Sequence, residues 1–455
     1  MLIRFTVENF LSFKDEVEFS MVPGRTRKHK DHIYVDDRRK DIRLLKAGVV
    51  YGPNAAGKSN LIKAMDFAQD LVVEGRRANQ SISAIPFLFD SSTEAKPSKF
   101  LFEIKTGRKV YAYKFEVDSK QVHFESLTEI RSSSEKTIFE RVTDSEGQTQ
   151  VTHGSPLVVP ENEDMFLEFT ARGTRSNQLY LTETIERNIR YFEDVYDWFR
   201  KTLVLVYPDS MVDADFGPRY FNNEDNFQQR YRDLIQLYDL DIEDIDLRPL
   251  EADAEQFFSD HDKSNISQMI SELSEDPEVK AILYNPRLKL FVTVDRLTQY
   301  KAYQFITIHY IRHEDRRVRL ELSLESDGTI RLFELTPALI RLLSSREEIV
   351  FVVDELDRSL HAQMTRNILD IFLSNSVGKP SQLIVTTHES GVLNLDLLRR
   401  DEIWFIEKDR YAASQVYSLE EFAPRYDVDI QRGYLNGRYG AIPILPSYNI
   451  LEWAK

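Results

Sequence analysis

Residues 52–59 read Gly-Pro-Asn-Ala-Ala-Gly-Lys-Ser and match the pattern G-x-x-x-x-G-K-[ST]. The apolar segment 47–51 before them is typical of a buried strand, and helix-forming residues follow from Asn60 to about Val73. The two glycines let backbone N–H groups turn inward around an anion, and the start of the helix adds its positive dipole end. The stretch therefore predicts a phosphate-binding turn between a strand and a helix. The alternative is a plain glycine turn with a surface lysine.

The chemistry of this turn assigns a role to each end of it. We expect Lys58 to reach the β- and γ-phosphates of ATP, and Ser59 to bind Mg²⁺ through its hydroxyl group. The backbone between them would surround the phosphates. The predicted nucleotide-binding residues of the turn are Gly52, Asn54, Ala55, Ala56, Gly57, Lys58, Ser59 and Asn60.

A second acidic element completes this prediction. Residues 349–353 read Ile-Val-Phe-Val-Val, which is typical of a strand buried on both faces, and Asp354 and Glu355 follow directly. Two carboxylates at a buried strand end are costly unless a cation lies nearby. We expect Asp354 to hold the Mg²⁺ shell and Glu355 to position or deprotonate the attacking water. The alternative is a strand end with two solvated acids.

The chain resembles the ABC-type ATPase heads of SMC-like proteins, and within them the OLD (overcoming lysogenization defect) and abortive-infection class. The gap of 354 − 58 = 296 residues between the two motifs fits such a split head better than a compact Ras-like protein. The resemblance covers nearly the whole chain and extends to the ATPase subunits of two-gene antiphage systems such as PARIS and the Rlo-type pairs. Its further motifs are Asn9-Phe10 with Ser12-Phe13, the signature-like loop 325–329, the D-loop position 358–361, Thr386-Thr387-His388, and the tail 433–443.

The resemblance also implies roles for three of these residues. Ser326 and Gly328 would face the γ-phosphate bound by the opposite subunit, although Asp327 departs from the usual S-G-G pattern. A turn that only caps the following helix is the alternative. His388 would act as the switch histidine, beside Lys58 and Glu355 as the catalytic residues; otherwise it is a histidine at a strand edge. No glutamine fits the Q-loop convincingly, since Gln69 is more typical of a helix face.

The predicted fold is α/β, an ABC-type P-loop ATPase head with a mixed sheet core and an antiparallel β subdomain. The strand patterns of 100–142 carry aromatic and β-branched residues. From about Asn162 apolar residues recur at spacings of three and four, which favours helices. The predicted divisions are an N-terminal lobe at 1–160, an inserted, mainly helical lobe at 161–290, and a C-terminal lobe at 291–455.

Composition excludes several other classes of function. Cysteine is absent, so disulfides, thiolate metal sites and a cysteine nucleophile are excluded, and a cytoplasmic location is expected. The net charge of −16 disfavours general binding to nucleic acid, and no apolar run of membrane-spanning length occurs.

His309 and His313 would have metal-binding spacing on a helix, but their segment is typical of a β-hairpin. The residues after His388, including Glu407 and Asp427-Val428-Asp429, do not make a convincing Toprim nuclease.

These observations predict an ATP-hydrolysing sensor or scaffold subunit of a bacterial antiphage system. Two heads would form a homodimer or higher oligomer that sandwiches ATP and Mg²⁺. The expected partners are a separate effector or toxin, with a Toprim-like nuclease as one candidate, and a phage-encoded trigger. An SMC- or RecF-like DNA-repair or chromosome-maintenance ATPase is the alternative. A transporter ATPase ranks last, and a scaffold that binds ATP without hydrolysing it is also open.

Overall fold

The computed structural model describes residues 1–155, 157, 160–208, 226–238, 240–250, 281–285, 289–294 and 300–443. The chain divides into two compact units. Unit 1 comprises Met1–Leu205, Ser345–Asp357 and Thr365–Lys455, and unit 2 comprises Val206–Ser344 and Arg358–Met364. This division gives two units rather than three lobes, and the boundaries predicted from the sequence stay a prediction.

Unit 1 contains a seven-stranded antiparallel sheet in the order β10-β9-β8-β7-β6-β1-β2. Alternating burial along these strands matches their alternating sequence; in β7, for example, Tyr113, Phe115 and Val117 are fully buried. The strands are β1 (Leu2–Glu8), β2 (Val17–Ser20), β6 (Ser98–Thr106), β7 (Lys109–Val117), β8 (Val122–Ile130), β9 (Glu135–Thr143) and β10 (Thr149–His153). Between β2 and β6 the chain forms the short antiparallel pair β3 (Ile33–Val35) and β4 (Arg43–Leu45).

A six-stranded mixed sheet carries the predicted site residues. Its order is β11-β17-β18-β5-β19-β20, from strands β5 (Ala47–Tyr51), β11 (Leu203–Val206), β17 (Ile349–Val353), β18 (Ser381–Thr387), β19 (Ile403–Lys408) and β20 (Ser414–Ser418). The four central strands β17, β18, β5 and β19 run parallel, and β20 is antiparallel to β19. Every residue of β5, β17 and β18 is buried, as their apolar sequences predict. The carboxyl ends of the parallel strands therefore meet at one edge.

The described helices of four residues or more, other than 3-10 and π turns, are α1 (Lys58–Val73), α2 (Glu161–Gly173), α3 (Tyr180–Glu186), α4 (Glu193–Asp197), α5 (Phe227–Leu237), α6 (Asp327–Ser344), α7 (Ala362–Asn375) and α8 (Ile430–Leu435). Within unit 2, α5 packs against α6, and the Tyr231 hydroxyl donates to the Phe333 carbonyl oxygen (2.9 Å). The same unit contains a five-stranded antiparallel sheet of β12 (Ile242–Pro249), β13 (Ala281–Asn285), β14 (Leu290–Val294), β15 (Tyr300–Ile311) and β16 (Arg316–Glu321).

The predicted α/β class with a mixed sheet and an antiparallel β subdomain is confirmed. Two described segments of the region predicted to be mainly helical, Ile242–Pro249 and Ala281–Asn285, are strands. In the first of these, buried Ile242 and Ile245 are three residues apart, a spacing that suggests a helix in so short a segment. Its pairing with β15 decides the outcome. His309 lies in β15, as the β-hairpin interpretation predicts.

Candidate functional site

The glycine-bearing turn connects β5 to α1 at the carboxyl edge of the mixed sheet. Two of its residues adopt left-handed backbone angles, Ala55 (φ 61°) and Gly57 (φ 119°), and Gly57 precedes the first residue of α1. Asn54 and Ala55 are exposed, whereas Gly52, Ala56 and Gly57 are buried. A Cβ atom on Gly57 would lie 2.3 Å from Ser414 Oγ. Glycine is therefore required there both for its φ angle and for space.

A network of small polar side chains, those of Ser12, Asn60 and Ser414, holds the turn in place. Ser414 Oγ, at the start of β20, donates to the Ala56 carbonyl oxygen (2.6 Å) and lies 2.8 Å from Ser12 Oγ. Asn60 Nδ2 donates to the same Ser12 hydroxyl (2.8 Å). The Asn60 side chain, predicted to bind nucleotide, thus holds the turn in place. Ser414 was not singled out in the sequence, because it follows Ser12 by 402 residues and only the fold brings the two together.

Lys58 extends from the first turn of α1 into the site. Its side chain is buried, and its Nζ donates to the carbonyl oxygens of Gly52 (2.8 Å) and Pro53 (3.1 Å). The same nitrogen lies 3.4 Å from His388 Nδ1. Burial lowers the pKa of the Lys58 ammonium to about 8. Three carboxylates act in the opposite direction, those of Asp354, Asp357 and Glu355.

The acidic end of β17 is held by its neighbour β18. Thr386 Oγ1 donates to Asp354 Oδ1 (2.5 Å) and accepts from the Glu355 backbone N–H (2.9 Å). Asp354 is only 3% exposed, and Glu355 has a left-handed φ of 50°. A left-handed residue other than glycine costs on the order of 1–2 kcal/mol. Because β17 and β18 pair in parallel register, one hydroxyl group can fix both acidic residues, and this role of Thr386 is not visible in the sequence alone.

His388 follows the carboxyl end of β18. Its backbone N–H donates to both carboxylate oxygens of Asp357 (3.2 Å each). Partial burial of the ring and the nearby charge of Lys58 lower the pKa of the imidazole. The neighbouring carboxylates, of which Asp357 acts most strongly, oppose the shift. The structure thus brings together four predicted site residues from three separate parts of unit 1: Lys58, Asp354, Glu355 and His388.

This donor set suits a nucleotide with a hard divalent cation. The turn presents backbone in left-handed conformation at a helix start, which is the geometry that binds phosphate oxygens. The Lys58 ammonium, now bound to two carbonyl oxygens, is free of any salt bridge within the described ranges. Asp354 supplies a carboxylate and Ser59, partly exposed at the second position of α1, supplies a hydroxyl. Such oxygen ligands are those that Mg²⁺ prefers, so the residues fit the group.

A protein-family model described as "AAA domain, putative AbiEii toxin, Type IV TA system" matches residues 49–394. These 346 of the 455 residues include the turn, the acidic strand end and His388. The chain belongs to this family, AAA_21. The membership agrees with the predicted ATPase class, whereas the OLD-, PARIS- or Rlo-like assignment stays a proposal.

Two solved structures of SMC head domains also resemble the chain. One is the "SMC head domain from Thermotoga maritima", with 14% identity, a TM-score of 0.35, and coverage of 92% of this chain and 98% of that chain. The other is the "SmcHead bound to the C-winged helix domain of ScpA", with 13% identity, a TM-score of 0.39, and coverage of 93% and 99%. No curated protein matches the chain.

In this AAA_21 domain the signature-like residues belong to unit 2. Ser326 caps α6, since its Oγ accepts from the Thr329 backbone N–H (3.1 Å). A Cβ atom on Gly328 would lie 2.7 Å from the Ser359 carbonyl oxygen. Asp327 occupies the first turn of α6, where the helix dipole favours an acid. The role of Ser326 and Gly328 toward nucleotide stays a prediction.

Gln69 lies outside this cluster and contacts backbone carbonyl groups instead. Gln69 Nε2 donates to the carbonyl oxygens of Phe199 (2.6 Å) and Leu203 (2.8 Å), so its amide is engaged in holding the start of β11.

In the part of the chain that the structure describes, no group of three or more His, Asp or Glu residues could hold a metal ion on its own. None of the helices in those same ranges is both long and apolar enough to cross a bilayer.

Proposed function

We propose that this chain is the ATP-binding and ATP-hydrolysing sensor or scaffold subunit of a bacterial antiphage system, and that it controls a separate effector such as a toxin nuclease. The observation that carries the ATPase proposal is the convergence of Lys58, Asp354, Glu355 and His388 in unit 1. A buried lysine beside two strand-end carboxylates, next to a phosphate-binding turn, is an arrangement suited to phosphoryl transfer.

Each side chain has a task that its surroundings support. Lys58 would leave the carbonyl oxygens of Gly52 and Pro53 and bind the β- and γ-phosphate oxygens of ATP. Glu355, held by its backbone bond to Thr386, would position the attacking water and accept its proton. His388 would donate a hydrogen bond to the γ-phosphate. When bound by Ser59 and Asp354, Mg²⁺ would neutralise charge on the phosphates.

ATP turnover by the purified full chain tests this proposal. We expect Lys58→Ala to abolish ATP binding, and Glu355→Gln to lower turnover at least 100-fold while ATP still binds. The matched controls are Lys63→Ala, an exposed lysine one turn further along α1, and Glu347→Gln, an exposed acid just before β17. Equal turnover in the wild type and both site variants would remove the ATPase proposal.

A homodimer is the proposed active form, in which Ser326 and Gly328 of one copy bind the nucleotide held by the other. Mixing tests it, because Lys58→Ala and Ser326→Arg chains should each be inactive alone but should form mixed dimers with one complete site. We expect the mixture to recover roughly a quarter of the wild-type turnover for random pairing. No recovery, with dimers present by sedimentation, would contradict a site shared between copies.

The defence role is supported by the family description, which names a Type IV toxin–antitoxin system. We expect a cytoplasmic protein whose phage protection, measured with its neighbouring genes present, is lost on Lys58→Ala and kept on Lys63→Ala. The same description names a toxin, so a second candidate is that this chain is itself toxic. Induction of the chain alone separates the two: growth arrest favours the toxin, and normal growth favours control of a separate effector.

The DNA-binding alternative makes a different prediction. A net charge of −16 disfavours a phosphate-binding surface. ATP-enhanced affinity for duplex DNA that falls steeply between 50 and about 200 mM salt would favour an SMC- or RecF-like role. We expect no such affinity.

A further inference from the structure

The last strands of unit 1 and the tail that follows them border an open pocket that the proposed ATPase chemistry does not use. Its volume is about 560 Å³. It is lined by Glu407, Tyr417, Glu421, Phe422, Tyr439 and Gly440. We call it the tail pocket. Tyr439 and Gly440 belong to the tail motif 433–443 that the sequence singled out, and this motif had no role in the proposed nucleotide site.

Aromatic rings form one wall of the tail pocket. The Phe422 ring packs edge-on against Tyr439 (centroids 5.4 Å apart) and lies 5.8 Å from Tyr417. Tyr439 is buried, whereas Phe422 is 45% exposed. Tyr417 is held in place because its hydroxyl donates to the Tyr439 carbonyl oxygen (2.8 Å). The wall is therefore a fixed aromatic corner with a ring that solvent can reach.

Two carboxylates also line the tail pocket. Glu407 Oε2 accepts from the Ala441 backbone N–H (2.7 Å), and Glu421 Oε1 accepts from the Ser418 backbone N–H (2.9 Å). Each is thus fixed by one oxygen. Within the described ranges, neither carboxylate has a salt-bridge partner. The pocket combines fixed negative charge with aromatic faces.

Glycine at position 440 keeps this arrangement open. Gly440 has φ 69°, and a Cβ atom there would lie 2.5 Å from the Tyr417 hydroxyl and 2.7 Å from Glu407 Oε2. A side chain at this position would thus collide with both Tyr417 and Glu407. The fold thus explains Tyr439 and Gly440 of the tail motif as residues that line the tail pocket.

We propose that the tail pocket binds a guanidinium or alkylammonium group. Aromatic faces attract such cations, and the attraction is greatest for arginine-like and quaternary groups. The two carboxylates that line the pocket add Coulombic attraction and accept hydrogen bonds from the N–H groups of the cation. The chain shows the same preference locally, since the guanidinium of Arg438 lies 5.7 Å from the Tyr439 ring centroid although Arg438 does not line the cavity.

The tail pocket and the glycine-bearing turn, residues 52–59, both contact strand β19. Glu407 follows Ile406, whose carbonyl oxygen would lie 2.3 Å from a Cβ atom on Gly52, the first residue of the turn.

The two sources of the cation are an arginine or lysine side chain of a partner protein and a free polyamine. Both present the same chemistry to the pocket.

Binding of Nα-acetyl-arginine amide to the full chain tests the proposal without nucleotide, so its result is independent of ATP turnover. The matched probe is the citrulline counterpart, which has nearly the same shape but no charge. We expect the arginine probe to bind at least tenfold more tightly than the citrulline probe. Glu421→Gln and Phe422→Ala, both at exposed positions, should each weaken the arginine probe at least fivefold.

Asp427→Asn is the control variant, because Asp427 is an exposed acid nearby in sequence that is paired with Arg425 and lies outside the pocket lining. It should leave binding unchanged. Equal affinity for the two probes, or unchanged affinity in Glu421→Gln and Phe422→Ala, would overturn the proposal. Spermidine and an arginine-containing peptide identify the source: tighter spermidine binding indicates a free polyamine, tighter peptide binding indicates a partner side chain, and binding of neither overturns the proposal.

Discussion

The glycine-bearing turn of unit 1, residues 52–59, and the signature-like loop of unit 2, residues 325–329, each contain a tightly packed glycine, but the two segments are held in different ways. Gly57 is packed against Ser12 and Ser414, which lie 45 and 357 residues away in sequence, and it has a left-handed φ of 119°. Gly328 faces one carbonyl oxygen of Ser359, and Ser326 forms a local cap only three residues long. The turn is thus fixed by the tertiary structure, whereas the loop is fixed mainly by its own helix.

The glycines give the largest expected difference between the two regions. Gly57→Ala combines a forbidden φ with a collision against Ser414 Oγ, so we expect the free energy of unfolding to fall by about 3 kcal/mol and nucleotide binding to be lost. Gly328→Ala meets only the Ser359 carbonyl oxygen and should cost about 1–2 kcal/mol. Urea unfolding and nucleotide titration measure both effects.

Gly147→Ala isolates the cost of the backbone angle in this comparison. Gly147 has φ 79° and no neighbouring atom within 4 Å of the position of a Cβ atom. We expect it to cost about 1 kcal/mol. If Gly57→Ala lowers the free energy of unfolding no more than Gly147→Ala does, the packing of the turn against Ser414 does not contribute to stability. The contrast between a turn held by tertiary contacts and a loop held by its own helix would then be wrong.

The hydroxyl group of Thr386 gives the next largest effect. Thr386→Val keeps the shape of the side chain but removes the hydrogen bonds to Asp354 Oδ1 and from the Glu355 backbone N–H. We expect a loss of about 1–3 kcal/mol in unfolding free energy, because two buried polar groups lose their partner. Turnover should fall roughly tenfold or more while ATP affinity changes little, since Glu355 loses its fixed position.

Thr365→Val is the matched control for this prediction. The Thr365 hydroxyl is buried and has no hydrogen-bond partner among the described residues. Its replacement should be neutral or slightly stabilising. Equal destabilisation by the two valine variants would mean that Thr386 acts through packing rather than through its hydrogen bonds.

The sequence predicted the parts of the site that are encoded locally. Eight contiguous residues encode the turn between β5 and α1, and five apolar residues followed by two acids encode β17 and its acidic end, so pattern and position suffice to predict both elements. Thr386, Ser12 and Ser414 were not predicted as supports, because their partners are brought to them by strand pairing and by the hairpin of β19 and β20. The strand Ile242–Pro249 was missed for a related reason, since pairing with β15 overrides an ambiguous local spacing.

Lys58 offers a test of the electrostatics of the turn that does not alter the fold. Its folded-state pKa is about 8, and bound phosphates would raise it. The protonated form therefore binds ATP more tightly. Affinity should be constant below pH 8 and should fall roughly tenfold per pH unit above it, until the pKa of the bound state is reached.

Isothermal titration between pH 7 and 9.5 measures this dependence, with Lys58→Arg as the control. Arginine keeps its charge throughout this range, so the variant should show a flat profile even if its affinity is lower. A flat profile in the wild type would indicate that Lys58 is not desolvated in solution, and the buried character that separates the turn from the signature-like loop would not hold.

The smallest effect is expected at Ser326, and it separates capping from nucleotide recognition. Ser326→Ala removes the hydrogen bond from the Thr329 backbone N–H and should lower the free energy of unfolding by about 1 kcal/mol. Ser326→Asn keeps a capping oxygen and should lower it by only about 0.3 kcal/mol. If Ser326 only caps α6, turnover per folded molecule is the same in both variants and in the wild type. If it also meets the nucleotide of the second copy, both variants lose turnover, although only one loses stability. The pair of measurements therefore decides whether the loop of unit 2 is a local cap or the second half of a shared site.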